Sequence, residues 1–322
     1  MSKNKYPLIT VSISCYNSED TVAAAIDSAL AQDWPNIEIL VADDGSHDGT
    51  AQIITDKLKD HPHARALIYG HNKGFAGSLN TLIGEAKGDF FAIFDDDDIS
   101  KPNRIRLQYE RITAYEEAYK TDKVICHTAR MQVFQNGYTR YEPTMGTNEG
   151  LAPHGEAVAD RILLGRVTPN IIGSCANCSR MARITTFRDL NGYNSEMTRG
   201  EDTEFNVRFA LSGGHFAGIA EPLVTQTMTM GQEKTLDREK EAELYVLNKH
   251  QDYLKHVGWY DFCLSWLAVR HALLRGNKMK TFTALTALGF KHPIKVAQKI
   301  LWALPAHSTR KDFKKWHSAK LN

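Results

Sequence analysis

The first hundred residues predict an α/β fold, a mostly parallel sheet with helices on both faces. Three observations carry this. Short apolar or alternating runs recur at 8–14, 37–41, 65–69 and 90–94. Stretches with apolar residues at helical spacing separate them. Three of the four runs end in polar clusters: Ser14-Cys15-Tyr16-Asn17, Asp43-Asp44-Gly45-Ser46 and Asp95-Asp96-Asp97-Asp98. Repeated strand–helix units imply a parallel sheet. In open sheets of this kind ligands sit beyond the carboxyl ends of the strands, so these clusters point at a binding crevice.

Each element has its own signal. In the first run Ile9, Val11 and Ile13 alternate with Thr10, Ser12 and Ser14, the period of a strand. Asn17 or Ser18 is placed to cap the helix that follows, whose apolar face is Val22, Ala25, Ile26, Ala29 and Leu30. Pro35-Asn36 ends it, and a second strand follows at 37–41. Helices are expected around 51–58 and 77–86, flanking a strand at 65–69. Phe90-Phe91-Ala92-Ile93-Phe94, bounded by Gly88 and by charge, reads as a buried strand. Ile105, Tyr109, Ile112, Tyr115 and Tyr119 form a helical core stripe. Asn136-Gly137 marks a hairpin after a strand at 124–134. Residues 144–155, rich in Gly, Pro and polar side chains, read as a mobile loop near the site; 204–211 and most of the chain from 239 onward read as helix.

Composition is that of an ordinary globular protein, 42% hydrophobic and 24% charged. Five cysteines do not suggest a disulfide framework, and the lone Cys175-x-x-Cys178 has no second pair at zinc spacing. No signal-peptide core or membrane-spanning run is visible, so a reduced cytoplasmic setting is expected. The net charge of +1 conceals an asymmetry: residues 262–322 hold twelve Lys/Arg and one Asp, and the remainder 27 Lys/Arg and 37 Asp/Glu. Such separation suggests a charged partner surface. Three mostly apolar, tryptophan-containing or basic-flanked stretches in that tail predict peripheral contact with an anionic membrane; no nucleic-acid motif accompanies the charge.

Four consecutive aspartates at a strand end repel one another and attract a cation. Oxygen-only donors suit Mg²⁺ or Mn²⁺, which are commonly shared with substrate phosphates.

Taken in order, Val11-Ser12-Ile13-Ser14-Cys15-Tyr16-Asn17, Val41-Ala42-Asp43-Asp44-Gly45-Ser46, Phe94-Asp95-Asp96-Asp97-Asp98 and Gly200-Glu201-Asp202 resemble the motifs of the inverting nucleotide-sugar glycosyltransferases of family 2, which have the GT-A fold. Asn72-Lys73-Gly74, Ser78-Leu79-Asn80 and Ala86-Lys87-Gly88-Asp89 resemble it too. The resemblance spans about 7–223 and implies a GT-A type, Rossmann-like mixed sheet in a catalytic domain at 1–238. Its nucleotide-binding half would be about 1–103 and its acceptor half about 104–238. A basic helical region would occupy 239–322.

By that resemblance Ser14 and Tyr16 meet the nucleotide, and Asp44 accepts a hydrogen bond from uracil N3–H. Asp95-Asp96-Asp97 is the D-x-D motif: Asp97 ligates Mn²⁺ or Mg²⁺, and Asp96 faces the ribose or the metal's water shell. Asp98 organises the turn before Pro102. Asp202 is the base that takes the acceptor's proton, with Glu201 orienting it or binding acceptor hydroxyls. The implied activity moves a sugar from a nucleotide sugar, a UDP-sugar by preference, to a glycan acceptor. That acceptor belongs to surface polysaccharide or lipid-linked oligosaccharide synthesis. Two rivals are a transferase-like domain that binds nucleotide sugar or glycan without turnover, and a nucleotidyltransferase, whose Gly-rich phosphate loop is missing after the first strand. One departure stands out. Many relatives carry a His after the strand that here reads Pro222-Leu223-Val224, whereas this chain continues Thr225-Gln226-Thr227-Met228-Thr229-Met230. Metal binding would then rest on Asp97 and the phosphates, with Gln232 or Lys234 as substitutes toward the diphosphate.

Overall fold

In the computed structural model, strand β1 (Ile9–Cys15) is buried along its whole length. The alternation of Thr10, Ser12 and Ser14 therefore does not mark a solvent face. Each hydroxyl finds a partner instead: Thr10 Oγ1 donates to Glu38 Oε2 at 2.7 Å, Ser12 Oγ to the Ala92 carbonyl at 3.1 Å, and Ser14 Oγ to Ser78 Oγ at 2.7 Å. Buried hydroxyls without such bonds would each cost on the order of 1–3 kcal/mol.

The structure describes residues 6–166, 171–228 and 235–303. After β1 come α1 (Val22–Leu30), β2 (Ile37–Asp43), α2 (Thr50–Leu58), β3 (Ala64–Ile68), α3 (Gly74–Glu85) and β4 (Phe90–Asp95). There follow β5 (Ile99–Ser100), α4 (Arg104–Tyr119), β6 (Val124–Phe134), β7 (Thr139–Glu142), α5 (Glu156–Leu164), β8 (Arg180–Arg183), α6 (Ile184–Asp189), α7 (Glu201–Leu211) and β9 (His215–Met228). The sheet order is β3-β2-β1-β4-β8-β6-β9-β5, with β7 added to β6. β1 to β4 are parallel, β8 runs against them, and β6 and β9 resume the original direction. This is the mixed, mostly parallel sheet expected.

Helices cover both faces. Val22, Ile26, Ile54, Ile105 and Ile112 join Ile9, Val11 and Ile13 in one core. On the other face Phe91 meets Phe187 edge-on, and Phe187 stacks on Phe205 of α7. The stripe on α4 is core as read, except that Tyr119 is exposed.

Two readings change. No side chain caps α1, whose N-cap is Thr21. Asn17 has φ 50° and its Oδ1 accepts from the His47 amide at 2.9 Å, binding the loop after β1 to the loop after β2. Residues 144–155 are irregular, as read, but both ends of the stretch are pinned. Thr144, Met145 and Ala152 are buried, Gly218 N donates to the Gly146 carbonyl at 2.8 Å, and Ala152 N donates to Tyr115 Oη at 3.0 Å. Gly146 has φ 76°, and a Cβ there would lie 1.8 Å from the Phe216 carbonyl oxygen, so only glycine fits.

The described chain divides into two compact units, 6–156 with 171–228 and 157–166 with 235–303. The second is helical: α8 (Leu236–Lys249), α9 (Gln251–His256), α10 (Tyr260–Leu274), α11 (Lys278–Lys291) and α12 (Pro293–Ala303). Its small core is Phe262, Val269 and Leu288, flanked by Trp259, Trp266, Leu285 and Val296.

Candidate active site

The register of the sheet builds the crevice. Ser14 lies opposite Asp95, and Cys15 opposite Asp43, so β1, β2 and β4 present their last polar residues side by side. Neighbouring strands are about 4.8 Å apart. Beyond these ends, the amide of Tyr16 donates to Asp96 Oδ2 at 3.3 Å, and the Tyr16 ring is exposed rather than packed. Asp44 is buried, and its Oδ1 accepts from the Lys73 amide at 2.9 Å, at the start of α3. Burial raises its pKa, and the donated bonds oppose that shift. Ser14, Tyr16, Asp44, Asp95 and Asp96 thus lie on the ends of three adjacent strands and the turns that leave them.

Beneath this surface the acidic turn is under electrostatic stress. Burial first, and then Asp98, Asp97 and Asp96, hold the Asp95 carboxyl well above the usual carboxylate range. Burial and Asp97 push Asp98 up to about 7, and burial pushes Asp96 up to about 6. Asp98 does more than shape its turn: its Oδ1 accepts from the Thr227 amide at 3.0 Å, tying the acidic turn to β9. Strand β9 does not stop at Val224 but runs through Met228. Residues 229–234, including Met230, Gln232 and Lys234, lie outside the described residues.

Among the described residues, Asp95, Asp98 and Cys178 bring one donor atom each together, all within 4.8 Å of one another. Asp97 is not in this trio. Asp95 Oδ1 and Asp98 Oδ2 are buried without a hydrogen-bond partner in the protein. A buried carboxylate oxygen left so is costly, and a divalent cation would satisfy both. Cys178 is a poor third ligand for a hard cation. Burial and the Asp95 charge hold its thiol protonated, and its sulfur receives Arg130 Nη1 at 3.5 Å. The donor set therefore fits Mg²⁺ or Mn²⁺ held by oxygen.

Glu201 and Asp202 sit in the first turn of α7, after Gly200 at φ 77°. The helix N-terminus favours negative charge there. Glu204, in the same turn, is spent on Arg208, which grips both its oxygens at 2.7–2.9 Å. Asp202 Oδ1 accepts from the Thr203 amide at 2.6 Å. Burial and the Asp202 charge push Glu201 up to about 7, against the pull of Arg180.

Arg180 was not singled out from the sequence. It is fully buried and donates to Tyr193 Oη at 2.6 Å, Asn206 Oδ1 at 2.5 Å, His127 Nε2 at 3.2 Å and the Cys175 carbonyl at 3.2 Å. Cys178 and Arg180 are two residues apart, so the segment entering β8 touches the acidic turn with one and the Glu201 environment with the other. The paired Cys175 and Cys178 flag this segment in the sequence, and only Cys178 of the two is buried.

Residues 10–184, more than half of the chain, match the model of glycosyl transferase family 2. The chain belongs to that family. Its relatives include the succinoglycan biosynthesis protein ExoO of Rhizobium meliloti, 39% identical over 34% of this chain and 31% of that protein. The putative glycosyltransferase EpsE of Bacillus subtilis is 29% identical over 68% of this chain and 73% of that one. The match thus spans about a third of ExoO and about three quarters of EpsE. Among solved structures, residues 1–349 of S. aureus TarS in complex with UDP-GlcNAc superpose with a TM-score of 0.60 at 19% identity, covering 87% of this chain and 80% of that one. That likeness establishes the shared fold. This family 2 glycosyltransferase has, among its described residues, no helix long and apolar enough to cross a membrane.

Proposed function

We propose that the chain transfers a sugar, with inversion, from a UDP-sugar to a hydroxyl of a glycan acceptor. The acceptor would be a growing surface polysaccharide or lipid-linked oligosaccharide, reached from the cytoplasmic side at a membrane surface. The observation that carries this is the pair of orphaned carboxylate oxygens on Asp95 and Asp98 at the end of β4, beside the Ser14–Asp44 strand ends. Binding without turnover would not require Glu201 and Asp202 on α7 as well. The ExoO relative, named for succinoglycan biosynthesis, supports a polysaccharide product. The TarS complex is an example of this fold holding a UDP-sugar.

In this reading Ser14, Tyr16 and Asp44 bind the nucleoside, with the exposed Tyr16 ring against the base and Asp44 accepting from it. Asp95, Asp97 and Asp98 would hold Mn²⁺ or Mg²⁺, and Asp96 would face the ribose. Bound there, the ion neutralises charge on the leaving nucleoside diphosphate. Asp202 takes the proton from the acceptor hydroxyl as its oxygen bonds to the anomeric carbon and the bond to the diphosphate breaks. Attack opposite the leaving group in one displacement inverts the anomeric centre. Glu201 holds Asp202 and the acceptor in place, and Arg180 steadies Glu201 from below.

The test is nucleotide release over a panel of sugar nucleotides with Mn²⁺ or Mg²⁺. Slow hydrolysis of one donor, abolished by Asp202→Asn, is expected. Tight nucleotide binding without release, even with a broad acceptor panel, would replace the transferase reading with the binding domain.

A further inference from the structure

Helix α11 has two apolar sides. Leu285 and Leu288 face the core of the second unit, with Phe262, Val269 and Val296. The opposite side is also apolar and lies open: Met279 is 76% exposed, Phe282 69% and Phe290 87%. On a helix of about 3.6 residues per turn these three fall in one stripe with Thr286. Lys278 borders the stripe on one edge, and Lys280 and Lys291 on the other. All three lysines are exposed, and none has an ion-pair or hydrogen-bond partner for its ammonium among the described residues. Helix α12 adds Ile294, Ile300 and Leu301 to the exposed apolar surface.

Other basic residues of this unit are already engaged. Arg270 pairs with Glu243 at 2.7 Å, Arg275 pairs with Asp237, and Lys295 and Lys299 donate to the Gly258 and Leu164 carbonyls. Among the described basic residues of 262–303, the cations left without a partner are the three that edge the apolar stripe. Between residues 262 and 303 there is no Asp or Glu to oppose them.

We propose that this face of α11 and α12 docks on the surface of an anionic lipid bilayer, with Phe282 and Phe290 entering the acyl boundary and Lys278, Lys280 and Lys291 reaching the headgroups. An apolar centre with lysines on both edges matches an interface that is greasy below and negative above. A second copy of the chain fits worse, because a two-fold contact would set the same lysines against each other. Nucleic-acid bases can stack on Phe282 and Phe290 but offer no counterpart to the exposed Met279, Ile294, Ile300 and Leu301. The helices are too short and too charged to span, so they lie on the surface. The inference names a partner for the membrane surface in the transfer reading, and its evidence is independent of the donor site.

Flotation of the full chain with phosphatidylcholine vesicles, with and without phosphatidylglycerol, tests it. Each exposed lysine near an anionic leaflet contributes about five-fold in partitioning. The triple variant Lys278→Glu, Lys280→Glu, Lys291→Glu is therefore expected to lose binding by at least a hundred-fold. Phe282→Ser with Phe290→Ser should lose at least ten-fold, and raised salt should weaken the wild type. Both variants should keep the wild-type melting temperature and donor hydrolysis. No flotation with anionic vesicles, or flotation equal in all three proteins, overturns the proposal. So does a dimer in sedimentation that Phe282→Ser breaks, which would give the face to a second copy, or binding to an acidic protein or nucleic acid in place of vesicles. Vesicle binding by a protein that hydrolyses no donor would instead overturn the transfer reading and leave this one standing.

Discussion

The side-chain amide of Asn80 clamps the peptide of Tyr193. Oδ1 accepts from the Tyr193 amide and Nδ2 donates to the Tyr193 carbonyl, each at 2.7 Å. The clamp joins α3, whose Ser78 supports Ser14, to the loop that leads into α7. Gly192 leaves room for it, since a Cβ there would lie 2.3 Å from Asn80 Oδ1. Asn80→Ala is predicted to destabilise the protein by about 2 kcal/mol, the order of two half-buried bonds and a peptide left without partners. Asn80→Asp loses the donated bond and should cost as much or more. Denaturant unfolding measures both.

Gly146→Ala should be worse. The Cβ meets the Phe216 backbone, which cannot rotate away, and φ is positive. A loss of more than about 3 kcal/mol, or failure to fold, is expected. Gly150→Ala, where the added carbon meets nothing within 4 Å but φ is also positive, is the control, and about 1 kcal/mol is expected there.

These two contacts mark the limits of what the sequence revealed. The strand–helix order, the buried β4 and the acidic turn were legible, because each rests on local periodicity and on residues close in the chain. The hairpin at Asn136-Gly137 was legible for the same reason. What was not legible depends on distant partners. Alternation identifies β1 as a strand but not the partners of its hydroxyls, because Glu38, Ala92 and Ser78 lie in other elements. The Gly- and Pro-rich stretch at 144–155 has a loop's composition, and the residues that pin it, among them Arg111, Tyr115, Ser174, Phe216 and Gly218, are far from it in the chain. Arg180 and Cys178 carry no local motif, and they matter because β8 inserts against the parallel strands.

Glu201 predicts a pH dependence. Its folded-state pKa of about 7 lies above the usual 4.5, so the folded protein holds a proton that the unfolded chain has released. That stability is present in full below about pH 4.5 and is lost as pH rises through about 7. At its steepest the fall is about 1.4 kcal/mol per pH unit. Glu201→Gln should flatten the stability profile in that window. In the transfer reading, turnover should also rise with pH toward 7 as Glu201 ionises, and Glu201→Gln should remove that rise.

The acidic turn predicts a cation selectivity by residue. Asp95→Asn and Asp98→Asn should each weaken Mn²⁺ binding by at least ten-fold, measured by calorimetry with UDP present. Cys178→Ala should leave affinity within about three-fold, because a neutral thiol adds little to a hard cation held by oxygens. Removing the metal with chelator should lower the melting temperature near pH 7, because the cation satisfies the buried oxygens of Asp95 and Asp98 that otherwise lack a partner.

The central claim is a division of labour: the acidic turn binds the donor, and the first turn of α7 performs the proton transfer. The most direct measurement compares Asp98→Asn with Asp202→Asn in two assays, UDP–Mn²⁺ affinity and donor turnover. The account predicts that Asp202→Asn binds UDP–Mn²⁺ within about two-fold of the wild type yet loses at least a thousand-fold in turnover, while Asp98→Asn loses affinity as well. Turnover retained by Asp202→Asn, or UDP–Mn²⁺ affinity unchanged in Asp98→Asn, would contradict it.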